Sequence, residues 1–399
     1  MQRRTLALAT LAALPCSLAH AGATIELAPD KSLTIGLLVQ PQLRLEQEDA
    51  LAVPPALSAS GNAGSLTFDP FVRRTRLLLS GQYTELIKFF VETDQPNWGR
   101  RGDWTPNFYL QDVWVEFNIH RALQLDVGML LLPTCHQGAQ GGGSLLLADY
   151  HLDLIKLPMT TARAWRDVGV MARGEFFDGH LEYRAALTNG IQAKTGWDAQ
   201  NPSPRGPLNP GDAPLLSGRL VGNIFDSEAG SGVAGFFYDG LYLKQDGDRL
   251  ISPQRILSFG ASSLYQPDSV YGGYDGRRTG FLMLAGDLFA DYPIGDGNQA
   301  INAQLDLLFY DFGPQHLDTG RGVLVEVGYR FDRVEPVAGF DWYDAVNADD
   351  HDLIGLRGGV NWWLYGHDAN LKFELGGQRL GGDDQPLRVT ALLQAQLAI

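Results

Sequence analysis

The stretch Ser32-Leu33-Thr34-Ile35-Gly36-Leu37-Leu38-Val39-Gln40-Pro41-Gln42-Leu43-Arg44-Leu45-Glu46 decides the fold. Leu33, Ile35, Leu37, Val39, Leu43 and Leu45 fall on one face, and Thr34, Gly36, Gln40, Gln42, Arg44 and Glu46 on the other. Period two places successive side chains on opposite sides of a strand. The run exceeds the roughly 9–11 residues that a tilted strand needs to cross a bilayer, whereas strands of soluble sheets are usually shorter.

The pattern recurs outward from there. Leu123, Leu125, Val127, Met129 and Leu131 alternate with Gln124, Asp126 and Gly128. Residues 300–312, 322–331 and 387–399 repeat it, the last with Leu393, Ala395 and Leu397 against Gln394 and Gln396. An open sheet edge in hydrocarbon leaves N–H and C=O groups unpaired, so strands cross lipid only as a closed barrel. Short turns (Gly81–Tyr83, Asn118–Ala122, Asp178–His180, Asp332–Val334, Tyr365–Ala369) alternate with long polar segments at 47–68, 94–106, 134–165 and 190–213, as periplasmic turns alternate with extracellular loops. The reading is an all-β, transmembrane antiparallel barrel of about sixteen strands with both termini periplasmic. Residues 226–254 are a long connection or hide a hairpin around Gly235–Lys244, which would make about eighteen. Phe71, Trp342 and Tyr343 at one set of strand ends, and Tyr329, Phe331, Trp362 and Tyr365 at the other, suggest two aromatic girdles.

Residues 1–21 read as a cleaved secretory signal peptide: Arg3 and Arg4, an apolar run Leu6–Leu14, then Ala19-His20-Ala21. The barrel then occupies 22–399. Losing Arg3 and Arg4 takes the formal net charge from -15 to -17, which argues against nucleic acid as a partner. Hydrophobic residues make up 45% and charged residues 19%, yet no later apolar run is long enough for a membrane helix. Cys135 is the one cysteine outside the leader, so neither an intrachain disulfide nor a cysteine-based metal site is expected.

Alternation puts Arg44, Arg74, Arg76, Lys88, Glu92, Asp112, Glu116, Arg173, Arg219, Asp306, Arg330 and Arg357 inward as candidate pore-lining residues. Charges of both signs predict a general or weakly selective pore. The 134–165 segment, with Gly141-Gly142-Gly143 and Leu145-Leu146-Leu147, carries Asp149, His151, Asp153, Lys156 and Arg163 as candidate constriction residues. Loops of this length in compact structures are often functional. No Gly-x-Ser-x-Gly elbow, His-Glu-x-x-His pair or phosphate-binding Gly-x-x-x-x-Gly-Lys loop is present, so no enzyme, cofactor or metal is expected. The alternatives to a pore are a barrel-borne enzyme, a non-conducting structural barrel and a soluble periplasmic β protein.

Arg166-Asp167-Val168-Gly169-Val170, Gly179–Tyr183 and Thr188-Asn189-Gly190 resemble the phosphate-selective porin O and P family of Gram-negative outer membranes. So do Phe71–Leu77 with Gly81, Glu335–Ala338 with Phe340-Asp341, and Gly359–Leu364 with Gly366-His367 and Leu371-Lys372. The resemblance covers nearly all of 22–399. It implies a sixteen-stranded homotrimeric porin in the outer membrane, among lipid and lipopolysaccharide, with its third loop in the lumen. It also implies passage of small hydrophilic solutes, with anions such as phosphate among them. The sequence departs from the family where a lysine is usual, since Met129–Leu132 are apolar, and at Gly339, where an arginine is common. Phosphate selectivity is therefore not carried over from the resemblance.

Overall fold

The computed structural model describes residues 22–47, 66–155, 165–191, 209, 211–228, 237–271, 278–314, 316–348, 351–382 and 385–399. A short strand β1 (Gly22–Ala28) turns at Pro29-Asp30 into β2 (Lys31–Gln47). The chain continues through β3 (Leu66–Gln82), β4 (Ile87–Asp94), β5 (Tyr109–His120), β6 (Leu123–Leu131), β7 (Arg166–Phe176), β8 (Leu181–Thr188) and β9 (Leu215–Asn223). A small hairpin follows, β10 (Lys244–Asp246) and β11 (Arg249–Ile251). Then come β12 (Ile256–Tyr271), β13 (Arg278–Ile294), β14 (Gln299–Asp311), β15 (Gly320–Phe331), β16 (Val334–Ala345), β17 (Leu353–Trp363), β18 (Ala369–Leu380) and β19 (Arg388–Ala398).

Strands β2–β9 and β12–β19 each pair antiparallel with the next, β9 pairs β12, and β19 closes on β2. The result is a sixteen-stranded transmembrane barrel. Closure joins Leu38–Glu46 to the last strand, and β1 takes over the rest of the β2 edge from Ser32 to Gly36. No ladder of β2 is left open, which is the condition for a sheet in lipid. The outer wall is apolar, with Leu43, Leu45, Val115, Val127, Leu307 and Leu393 exposed.

The eighteen-strand alternative is overturned. The β10–β11 hairpin pairs only with itself, and residues 237–243 turn into the lumen instead of joining the wall. Residues 229–236 lie outside the described residues.

One irregularity matters for the site. The register between β2 and β3 slips at Gln40/Pro41: Gln40 faces Arg74 and Pro41 faces Val72, leaving Arg73 as the extra residue of a bulge. Pro41 has no N–H to give the ladder, so it is tolerated at such a slip. The bulge switches which residues face inward. Below it Arg74 and Arg76 are inside; above it Phe71 and Asp69 are inside and buried. Phe71 is therefore not a girdle residue, and neither is Tyr343, which is 1% exposed and faces the lumen. Phe331, Trp362 and Tyr365 are exposed on the outer wall.

Candidate pore constriction

The described part of the long connection, residues 132–155 with Trp165, lies inside the barrel. Its short helix α1 (His136–Ala139) and the residues Leu145, Leu147, Ala148 and Leu154 are almost completely buried. The sequence explains the seat. Leu146 and Leu147 pack with Val337 and Trp363 of the wall and with Leu241 and Leu250. Two wall glycines make the room: a Cβ on Gly339 would stand 2.5 Å from Leu147 Cδ1, and one on Gly328 would stand 3.0 Å from Leu146 Cδ1. An arginine at Gly339 would occupy the space of the loop.

Polar groups latch the loop from several strands. Lys372 donates to the carbonyls of Leu145 and Leu147, Asn361 donates to Leu146 O at 2.8 Å, and Glu374 accepts from Ala148 N–H. His151 joins Glu326 (2.7 Å) to Asp341. Burial and the Arg357 guanidinium work against a charged His151, but Asp341 and Glu326 outweigh them and hold its proton above the ordinary histidine value.

The loop tip closes on β2, β3 and β19. Gln40 Nε2 donates to Gly142 O at 2.9 Å and to Gln396 Oε1 at 2.7 Å, and its Oε1 accepts from Arg74 at 2.8 Å. Gln396 donates to Gly143 O at 2.7 Å, and Gln42 to Gln394 at 2.6 Å. Asp149 takes Arg73 and Arg74, each at 2.5 Å. Burial alone would raise the Asp149 carboxyl, but the two guanidiniums hold it well below the usual carboxylate range. The bulge is what brings consecutive arginines to one carboxylate. Gly142 permits close contact, since a Cβ there would lie 3.2 Å from both Arg74 Nε and Arg76 Nη1.

A cavity lies on each side of this belt. Toward the long-loop end, about 370 Å³ is lined by Arg44, Arg100, Asp149, Asp153, Arg357 and Arg388 among others. Toward the short-turn end, about 80 Å³ is lined by Arg76, Glu92, Gly141–Gly143, Phe237, His367 and Gln396. The belt thus separates two cavities that lie along β17–β19, β2 and β3.

Of the predicted residues, Arg44, Arg74, Arg76, Glu92, Arg357, Asp149, His151 and Asp153 gather at or beside the belt. The other described ones border neither cavity. Arg173 is bound to Glu116 and Asp126, and Lys88 sits 3.4 Å from Glu116. Asp112 pairs with Arg166, and Arg219 with Asp287. Asp306 accepts from Gln137 N–H. Arg330 is completely buried and donates to the carbonyls of Leu250, Gly297 and Asp332. Apart from Lys88, which is a third exposed, the inward charges on these strands are buried against opposite charges or backbone groups. Lys156 and Arg163 lie outside the described residues. Sequence reasoning missed Gln40, Gln396 and Arg73 as site residues; Pro41 inside an otherwise regular strand was the available signal for the bulge.

No protein-family model matches the chain, and no curated protein matches it by sequence. Solved structures do match in fold. Salmonella typhi OmpF, in complex with daunomycin, aligns at TM-score 0.58 and 9% identity over 94% of this chain and 100% of that one. The fold is that of outer-membrane porins. An anion-selective porin from Comamonas acidovorans aligns at TM-score 0.53 and 12% identity, covering 93% and 100%. OmpT, an outer-membrane protein of Vibrio cholerae in its trimer form, aligns at 0.50 and 10% over 93% and 100%. This porin fold carries a narrow belt built from two glutamine-bearing strands, a bulged arginine pair and an inserted loop.

Proposed function

We propose that this protein is an outer-membrane porin through which small hydrophilic solutes diffuse passively, past the belt around Gln40. The observation that carries this is a pair of cavities, one lined largely by charged residues and the other bordered by Arg76, Glu92 and Gln396, on the two sides of one belt inside a closed barrel with an apolar outer wall. The vestibule mixes Arg44, Arg100, Arg357 and Arg388 with Glu46, Asp153 and Glu374. Opposed charges at a constriction give weak selectivity, so anions such as phosphate pass as solutes among others. The remaining pieces belong to the same reading: residues 1–21 cleaved on export, lipid and lipopolysaccharide around the wall, a homotrimer as in the Vibrio cholerae structure, and no catalysis.

Reconstitution of the detergent-folded protein into a planar bilayer tests it. Stepwise conductance is expected, with a reversal potential near zero in a salt gradient of potassium chloride. A folded protein that never conducts would leave the second reading, a non-conducting barrel, which the continuous hydrogen bonding of Gln40, Gly142, Gln396 and Arg74 favours.

A further inference from the structure

The wall connections at the short-turn end are tight, except the one between β9 and β12. Part of it leaves that end of the barrel and enters the lumen. Phe237, Tyr238, Asp239, Gly240, Leu241 and Tyr242 are all buried. They meet the constriction loop from the opposite side of the molecule. Tyr238 N–H donates to Ala139 O at 3.0 Å, and Gly141 N–H donates to Tyr238 O at 3.2 Å, so the two segments share a parallel β-bridge immediately before the Gly141–Gly143 tip. His136 lies between the rings of Tyr238 (5.2 Å) and Phe289 (4.0 Å) and contacts Glu228 at 3.0 Å. Leu241 packs under Leu146 and Leu147, and its carbonyl accepts from His367 at 2.6 Å. Gly240 has φ +70, and a Cβ there would stand 2.1 Å from Gln140 Nε2. Glycine therefore serves both the left-handed turn and the close approach.

We propose that residues 237–243 are an internal brace that enters from the short-turn end and holds the constriction loop closed, so that pore width is set from that face. The inference rests on the pore reading above. The geometry gives the reason. Phe237 and Asp239 line the inner cavity together with Gly141–Gly143. The brace is thus both the support of the loop tip and part of the wall of the passage it guards. If the brace parts from the loop, the β-bridge and the leucine contacts are lost together, and the belt loses its backing on that side.

The test locks and unlocks the contact in the full-length protein. Gln140→Cys with Gly240→Cys, in a Cys135→Ser background, places a disulfide where the Gln140 amide now fills the space beside Gly240. In planar bilayers the oxidised channel should stay at its lowest conductance; once dithiothreitol opens the bond, a side chain at the left-handed Gly240 position pushes the brace from the loop and should raise conductance several-fold. A second variant, Tyr238→Gly with Leu241→Gly, keeps the backbone but removes both anchors, and should conduct several-fold more than the unmodified protein. Heat-modifiable gel migration reports whether each barrel is folded. If the folded channels conduct equally with the disulfide open or closed, and the glycine variant conducts like the parent, the brace is overturned while the pore stands. If no folded form conducts under either condition, the pore reading itself falls and takes the brace with it.

Discussion

Two sectors of this barrel obey the same alternation and have opposite interiors. On β2, β3 and β19 the inward residues are Gln40, Gln42, Arg74, Arg76, Gln394 and Gln396, and cavities adjoin this sector. On β4, β5 and β12–β15 the inward residues include Phe90, Trp114, Leu264, Phe281, Met283, Leu308, Tyr310 and Leu324, which form one dry cluster with Leu145, Leu154 and Trp165 of the inserted loop. The outer wall is apolar in both. A polar interior with cavities is therefore not the default of a closed barrel of this size. It persists where inward side chains satisfy their hydrogen-bonding groups on one another and on the loop backbone, as Gln40, Gln42, Arg74 and Gln396 do.

The largest break in this contrast comes from the polar sector. Arg73→Ala with Arg74→Ala leaves Asp149 buried without its guanidiniums, and removing the partners of a buried charge costs about 3–5 kcal/mol. The loop tip should leave the belt, raising single-channel conductance several-fold and moving the reversal potential toward cation selectivity. Unchanged conductance would place the narrow point elsewhere. The dry sector should respond in stability rather than in conductance. Trp114→Ala, at a site only 1% exposed against Phe90, should lower unfolding stability by about 3–5 kcal/mol and leave conductance nearly as it was. A conductance change as large as that of the arginine pair would erase the distinction between the sectors.

The smallest effect joins the two. Burial works against the charged form of His136, but Glu228 and its hydrogen bond, with Asp287 and Asp306 beyond, hold the imidazole above its ordinary value of about 6.5. A raised folded-state pKa contributes stability that is complete below the ordinary value and is lost as pH rises through the raised one. Thermal stability should fall by on the order of 1 kcal/mol across that interval, and the dependence should vanish in His136→Gln. A fall on the acidic side instead would mean that the His136–Glu228 contact is not an ion pair.

The barrel itself was written in one-dimensional form. Period-two runs predicted sixteen wall strands, and short turns such as Asp178–His180 and Asp332–Val334 stand where they were expected, because side-chain alternation and turn chemistry are local properties. The inward direction of Arg74, Arg76 and Glu92 followed from the same rule. Arg73 and Phe71 did not, since a single bulge at Pro41 reverses the rule for the residues beyond it.

What the tertiary structure alone decided is which partner each inward residue meets. Arg330 and Arg74 are both inward arginines of wall strands, yet Arg330 is spent on the carbonyls of Leu250, Gly297 and Asp332 while Arg74 stands at the belt. The difference is made by two inserted segments, 132–155 and 237–243, whose positions depend on contacts between residues distant in sequence: Gly142 with Gln40, Leu147 with Gly339, Tyr238 with Gln140. Alternation states which way a side chain points. Whether it then meets water, an opposite charge or a packed loop depends on where remote parts of the chain come to rest, and no local periodicity encodes that.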